Sequence, residues 1–255
     1  MTEPRKDNFE RFNNIGFEDF RSMAKDAALS RYEKVGFPDT YRAGKEKLIF
    51  QDMESKLPAL QGDKSTIIDI GCGCSDIPRF LMERAEQKSQ TLILIDSKEM
   101  LDQLSGESAS VRKIAARYPD CPELFERYTG KTSAIIVYSV FQYIFAEADP
   151  FDFLDKSLTL LAPQGRMLIG DIPNVSMRKR FFESEAGLAS HREFTGTNEK
   201  PPAELTRIKE GSLDDSVVLS VLQRARLAGF HAYVVPQAND LPMANRREDI
   251  LIVRP

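Results

Sequence analysis

Thr66-Ile-Ile-Asp-Ile-Gly-Cys-Gly-Cys-Ser-Asp76 is a short apolar run that breaks on two glycines and passes into helical spacing. An apolar run of this length, bounded by glycine, reads as a buried strand turning into a helix. Outward from it, Thr91-Leu-Ile-Leu-Ile-Asp96 is a second apolar run that ends in an acid, 25 residues past Gly71. Strand, glycine turn, helix, strand and terminal acid together predict a nucleotide-type pocket at the carboxyl ends of parallel strands.

The dinucleotide fingerprint places a third glycine where helix and strand close beside the pyrophosphate. Counted from Gly71 and Gly73, that position is Asp76. A carboxylate at a helix N-terminus occupies and repels the place a pyrophosphate takes. S-adenosylmethionine has no phosphate; it carries a sulfonium, an ammonium and a carboxylate. Asp69 and Asp76 suit its ammonium through charge-assisted hydrogen bonds, and Asp96 suits the ribose hydroxyls. The residues therefore favour S-adenosylmethionine as cofactor over a dinucleotide.

At 255 residues, with 42% apolar and 29% charged residues, the chain has the size and composition of an ordinary globular protein. A net charge of −4 argues against a general nucleic-acid binder. No apolar run approaches the ~18 residues that span a bilayer, and no apolar segment follows the first residues. Three cysteines, an odd set, fit free thiols in a cytoplasmic protein.

Strands are expected near 66–70, 91–95, 111–115, 133–138 and 165–170. Helices are expected between them, near 77–88, 97–105, 120–128 and 149–162, the last opened by Asp149 and Pro150. An aromatic N-terminal segment (Phe9, Phe12, Phe17, Phe20, Tyr32, Phe37, Tyr41) precedes a helix expected from Tyr41 to Leu57. Beyond Asp171 the alternation stops until Asp214-Asp215 opens a helix that ends at Gly229. Two last strands, at Tyr233-Val-Val and Ile250-Leu-Ile-Val253, close the chain. The fold class is α/β: a three-layer sandwich with a seven-stranded, mostly parallel sheet and a C-terminal antiparallel hairpin. The expected organisation is an N-terminal helical cap (1–58) and a Rossmann-like domain (59–255), with 172–213 as a lid and acceptor insertion.

Asp69-Ile-Gly-Cys-Gly73, Asp96, Ala134-Ile-Ile-Val-Tyr-Ser-Val140 and Leu160-Leu-Ala-Pro-Gln-Gly-Arg-Met-Leu-Ile169 resemble the class I, Rossmann-like S-adenosylmethionine-dependent methyltransferases over roughly 60–170. The resemblance implies the cofactor, the seven-stranded sheet and methyl transfer, but not the acceptor. It implies that Gly71, Cys72 and Gly73 approach the methionine part. Asp69 and Asp76 would face its ammonium, Asp96 and Ser97 the ribose, and Tyr138 the wall near the transferred methyl. Two positions depart from the family: Ser75 stands at its third glycine. Ala115-Ala116-Arg117-Tyr118 replace the acid near adenine, a role left to Tyr118 or a backbone carbonyl. Residues 181–202 also resemble bacterial surface-glycan methyltransferases.

The candidate bases, in order, are His191, Tyr138 and Asp171, histidine because it titrates near neutrality. Cys72 and Cys74 are too close for a metal pair, and Tyr138-Ser139 stand where magnesium-dependent relatives carry an acid; no metal is expected. Arg178-Lys-Arg180 with Arg192 is either a solvated face or a grip on an anionic acceptor. The expected function is methyl transfer to an O or N nucleophile of a small molecule, a sugar or anionic metabolite. Neither a nucleic-acid nor a membrane partner is expected, and the N-terminal helices leave room for a homodimer. Two alternatives stand beside it, a non-catalytic scaffold of the same fold and an NAD-dependent oxidoreductase.

Overall fold

A computed structural model of the chain describes residue 12 and residues 15–106, 108–208 and 211–255. Phe9, most of residues 1–14, and residues 107, 209 and 210 lie outside the described residues. The N-terminal part holds α1 (Phe17–Lys25), α2 (Asp39–Arg42) and α3 (Glu46–Lys56). The alternating part runs β1 (Thr66–Ile70), α4 (Asp76–Gln87), β2 (Thr91–Asp96), α5 (Lys98–Leu101), β3 (Val111–Ala115) and α6 (Pro122–Tyr128). It continues through β4 (Thr132–Tyr138), α7 (Phe141–Glu147), α8 (Pro150–Leu160) and β5 (Leu161–Pro173). Then come α9 (Val175–Glu183), α10 (Glu185–Thr195), α11 (Ala203–Thr206), α12 (Asp215–Leu227), β6 (His231–Val235) and β7 (Arg247–Val253).

The seven strands pair in the order β3-β2-β1-β4-β5-β7-β6. β1 to β5 pair in parallel, and β7 runs antiparallel to both β5 and β6. Ile68 sits opposite Ile93 on one side and Ile135 on the other. Residues two apart share a face of a sheet, and the core divides on that period. Ile68, Ile70, Ile93, Ile95, Ile135 and Val137 pack with residues of α6, α8 and α12 such as Leu124, Leu154 and Val221. Ile67, Leu92, Leu94, Ala134 and Ile136 pack on the opposite face with Met53 of α3 and Leu81 of α4. Helices thus cover both faces, and each fully buried Ile or Leu contributes about 1.5–3 kcal/mol of transfer free energy.

Connections from β1 lead one way to β2 and β3, and β4 and β5 lie the other way. At such a switch point the loops diverge and leave a crevice above the strand ends. Three expectations needed correcting, and one helix was not foreseen. The helix placed from Tyr41 to Leu57 is two helices, broken at Gly44, whose φ is +74°. The fifth strand is longer than 165–170: it runs from Leu161 to Pro173, so α8 stops at Leu160. The helix of 97–105 is a single turn, Lys98–Leu101. Phe141–Glu147 forms a helix that the apolar aromatic run did not announce.

Candidate functional site

The crevice above β1, β2 and β4 is a cavity with about 1150 Å³ of non-atom space including its solvent-facing mouth. Its floor is the turn after β1. Gly71 and Gly73 adopt φ of +71° and +62°, a left-handed backbone that glycine alone enters without cost. A Cβ on Gly71 would stand 2.7 Å from Val140 Cγ2, and one on Gly73 2.7 Å from Val35 Cγ1. The Gly73 amide donates to Asp96 Oδ2 at 2.8 Å, and the Ser97 amide to Asp96 Oδ1 at 2.6 Å. Asp96 is thereby aimed along the mouth of the turn.

Asp69 lines the cavity, is only 3% exposed, and has no hydrogen bond that favours its ionised form. Burial, and then the charge of Asp96, push its carboxyl up to about 8. Burial also raises Asp96, against hydrogen bonds from Gly73 and Ser97 that hold it down. Two carboxyls held in so dry a crevice favour a cationic ligand.

The N-terminus of α4 is already satisfied. Asp76 N and Ile77 N donate to Glu46 Oε2 at 2.6 and 3.1 Å. The other oxygen of Glu46 is buried without a hydrogen-bond partner, and Glu46 lines the cavity. Sequence reasoning missed Glu46. It is a charged residue four positions after Arg42, on a helix whose contact with α4 was not foreseeable. Asp76, expected in the pocket, points to the N-terminal segment instead: Arg31 Nη1 and Tyr32 Oη, the latter at 2.8 Å, donate to its carboxylate. Asp76 is therefore withdrawn as an ammonium ligand. Ser97 is corrected as well, since its hydroxyl caps α5 by accepting from Met100 N at 3.3 Å and does not line the cavity. Cys72 does line it, as a buried thiol that burial holds protonated.

The opposite wall is built by the ends of β4 and β5. Ser139 and Asp171 have φ of +60° and +59°, strained positions for side-chain-bearing residues that cost about 1–3 kcal/mol each. That strain turns both side chains toward Arg42. Arg42 Nη2 donates to Ser139 Oγ at 2.6 Å and to Asp171 Oδ2 at 3.2 Å, and Ser139 Oγ donates to the same Asp171 oxygen. Arg247 Nη1 lies 3.1 Å from that oxygen and donates to the Asp171 carbonyl at 2.9 Å. The Arg42 guanidinium stacks on Phe37 at 4.0 Å. Asp171 does not line the cavity; it positions two arginines, which corrects the expectation of a base there. Behind it, fully buried Asp249 accepts from Asp171 N at 2.8 Å, from Lys56 Nζ at 2.8 Å and from Gln237 Nε2 at 3.0 Å.

Tyr138 lines the cavity as expected, its ring packed so tightly on Gly170 that a Cβ there would lie 2.4 Å from Cδ2. Burial raises its phenol well above the ordinary value, so it holds its proton at neutral pH. His191 is not brought to the cavity. It lies on α10, its ring 6.2 Å from and edge-on to that of Phe182, and is corrected as a candidate base. At the far end, Tyr118 lines the slot with Ile95, Met100, Ala116 and Phe153, and its hydroxyl is bonded to Ser157 at 2.9 Å. The roof comes from the N-terminal segment: Phe17, Phe20, Val35 and Phe37 all line the cavity. Glu147 fastens it, accepting from Phe17 N at 3.2 Å and from Arg117 Nη2 at 2.8 Å. No group of three metal-ligating side chains occurs among the described residues.

No protein-family model and no curated protein matches the chain. Solved structures do. The plantazolicin methyltransferase BamL, in complex with a triazolic desmethylPZN analog and SAH, aligns at a TM-score of 0.57 and 16% identity, over 93% of this chain and 96% of that one. The CurJ carbon methyltransferase aligns at 0.54 and 13% identity, over 93% and 67%. An O-methyltransferase family protein from Burkholderia thailandensis aligns at 0.52 and 15%, over 82% and 56%. At such identities the likeness establishes the fold, a Rossmann-like methyltransferase sandwich.

Proposed function

We propose that this chain binds S-adenosylmethionine in the crevice above β1, β2 and β4 and transfers its methyl group to an O or N nucleophile of a small molecule. One observation carries the reading: the cavity offers buried carboxyls at Asp69 and Glu46 and a half-buried one at Asp96, while the amides of α4 that a pyrophosphate would use already donate to Glu46. That set fits a cationic, phosphate-free cofactor and disfavours a dinucleotide. SAH, bound in the plantazolicin methyltransferase structures of the same fold, is the product such a cofactor leaves.

The residues divide the ligand by chemistry. Asp96 accepts from ribose hydroxyls. Asp69 and the Glu46 oxygen that accepts no hydrogen bond accept from the ammonium, and Arg42, whose guanidinium lies 4.0 Å from that oxygen, takes the carboxylate. The apolar slot of Ile95, Met100 and Tyr118 receives the adenine by its faces. When bound, the cofactor supplies a methyl activated on sulfonium. The chain contributes alignment and a dry roof of Phe17, Phe20 and Phe37. Tyr138 walls the reacting centre as a neutral phenol. The carboxyls in the cavity wall at Asp69, Asp96 and Glu46 are assigned to the cofactor on this reading, so catalysis is by positioning, on an acceptor that loses its proton to solvent.

Incubating the protein with S-adenosylmethionine labelled in its methyl group and a panel of small amines, hydroxy acids and sugars tests the reading. Label appearing on an acceptor, and lost in Asp96→Ala, supports it. Cofactor binding without transfer to any of them would favour a non-catalytic scaffold. The fold likenesses give no support to a surface-glycan acceptor, and that narrowing is not carried forward.

A further inference from the structure

Beside the wall of Arg42, Asp171 and Arg247, the helices after β5 and the loop between β6 and β7 bring further arginines together. Of the basic run on α9, Arg180 is spent on Asp215 and Lys179 faces Glu183 at 4.0 Å. Arg178 differs. Its Nη2 donates to the carbonyl of Glu204 at 3.2 Å, and its Nε is buried without a hydrogen-bond partner. One helical turn on, Phe182 carries the guanidinium of Arg246 at 5.5 Å from its ring. The Arg246 guanidinium donates to Asn245 Oδ1 at 3.4 Å.

Neither Arg178 nor Arg246 forms an ion pair among the described residues, although both are partly buried. The nearby carboxylates are committed. Asp171 serves Arg42 and Arg247, Asp215 serves Arg180, and Glu248 accepts from Asn174 Nδ2 at 2.5 Å. Burial pulls both guanidiniums below their ordinary value, and Arg178 and Arg247 add repulsion at Arg246. A desolvated guanidinium fork with an empty N–H is costly unless an oxyanion completes it.

We propose that Arg178 and Arg246 form an oxyanion subsite beside the wall of Arg42, Asp171 and Arg247, just outside the residues that line the crevice, so that the methyl acceptor carries a carboxylate or phosphate group. Arg247 links the subsite to the cavity: it pairs with Asp171, which holds Arg42, and its guanidinium lies 5.8 Å from the ring of cavity-lining Phe37. The substrate class rests on the methyl-transfer reading; the subsite itself does not.

Nitrogen-15 NMR of the arginine Nε–H groups tests it on the full chain loaded with SAH, titrated separately with inorganic phosphate and with acetate. The Arg178 Nε–H resonance is expected to move saturably with at least one of them, and not with chloride at equal ionic strength. Which anion moves it more distinguishes a phosphorylated from a carboxylated acceptor. Arg246→Gln, read at the Arg178 Nε–H, and Arg178→Gln, read at the Arg246 Nε–H, should each weaken the response about tenfold or more, as loss of a charge-assisted bond does, with SAH affinity within about twofold. Arg178→Lys should fall between, keeping charge but not the fork. A resonance that tracks only ionic strength, or a response undiminished in both Gln variants, overturns the subsite. Should the variants fail to fold, the response of the unaltered protein decides. SAH binding is read in the same samples: anion response without SAH binding sinks the methyl-transfer reading alone, and the converse sinks the subsite alone.

Discussion

Asp69 and Asp96 set the character of the crevice, and their behaviour is testable one residue at a time. Asp69 is lifted by burial, then by Asp96, from an ordinary 3.8 to about 8. A carboxyl raised in the folded state holds a proton there that the unfolded chain has released. Its contribution to stability is therefore complete below about 4 and is lost as pH rises through about 8. Thermal melts across that window should show Asp69→Asn declining less than the parent protein; parallel declines would contradict the assignment. An arriving ammonium should strip the proton, so SAH affinity should rise with pH over the same window and lose that slope in Asp69→Asn. If Asp96 accepts from the two ribose hydroxyls as proposed, the SAH dissociation constant of Asp96→Ala should rise about tenfold or more by calorimetry. Asp69 and Asp96 stood out because one lies inside an apolar run two residues before Gly71 and the other ends the next apolar run, 25 residues past Gly71. Arg42 and Glu46 did not, because their roles arise from tertiary approaches that no local pattern records, of α2 to the ends of β4 and β5 and of α3 to α4. His191 misled because titration near neutrality says nothing of location.

At the scale of elements, tight approach of backbone to side chain decides where the strand ends point. Gly170 lies under the Tyr138 ring at a distance no Cβ tolerates. Gly170→Ala must push that ring from the wall, and overpacking of this kind costs about 1–3 kcal/mol. Denaturant melts should show the loss, together with weakened SAH binding; a stable variant with unchanged affinity would mean the wall is unimportant. β1 to β4 and the final hairpin were legible because β-branched runs recur between caps such as Asp149 and Asp214, whose carboxylates do accept from the first amides of α8 and α12. α7 was not, since Phe141-Gln-Tyr-Ile-Phe145 is apolar on too many sides for one periodicity to stand out. β5 was read short because Pro163 and Gly165 resemble a turn, whereas the strand runs through them with a register shift in its pairing to β4.

For the molecule as a whole, the N-terminal segment roofs the crevice, and the proposed reading makes it a lid. Its roof aromatics are held by ion pairs at the rim, Arg21 to Glu99 at 2.9 Å, Lys25 to Glu99 at 3.0 Å and Arg31 to Asp76. Exposed pairs of this kind are weak and screened by salt. Hydrogen exchange of residues 17–42 should therefore quicken in high salt and in Glu99→Gln, and slow when SAH is present; exchange indifferent to SAH would mean the segment is no lid. The central claim concerns which cofactor the crevice accepts, and titration calorimetry of the intact protein with SAH and with NAD measures it directly. Saturable one-to-one binding of SAH with no heat from NAD is the predicted result. Binding of NAD, or of neither, would contradict it.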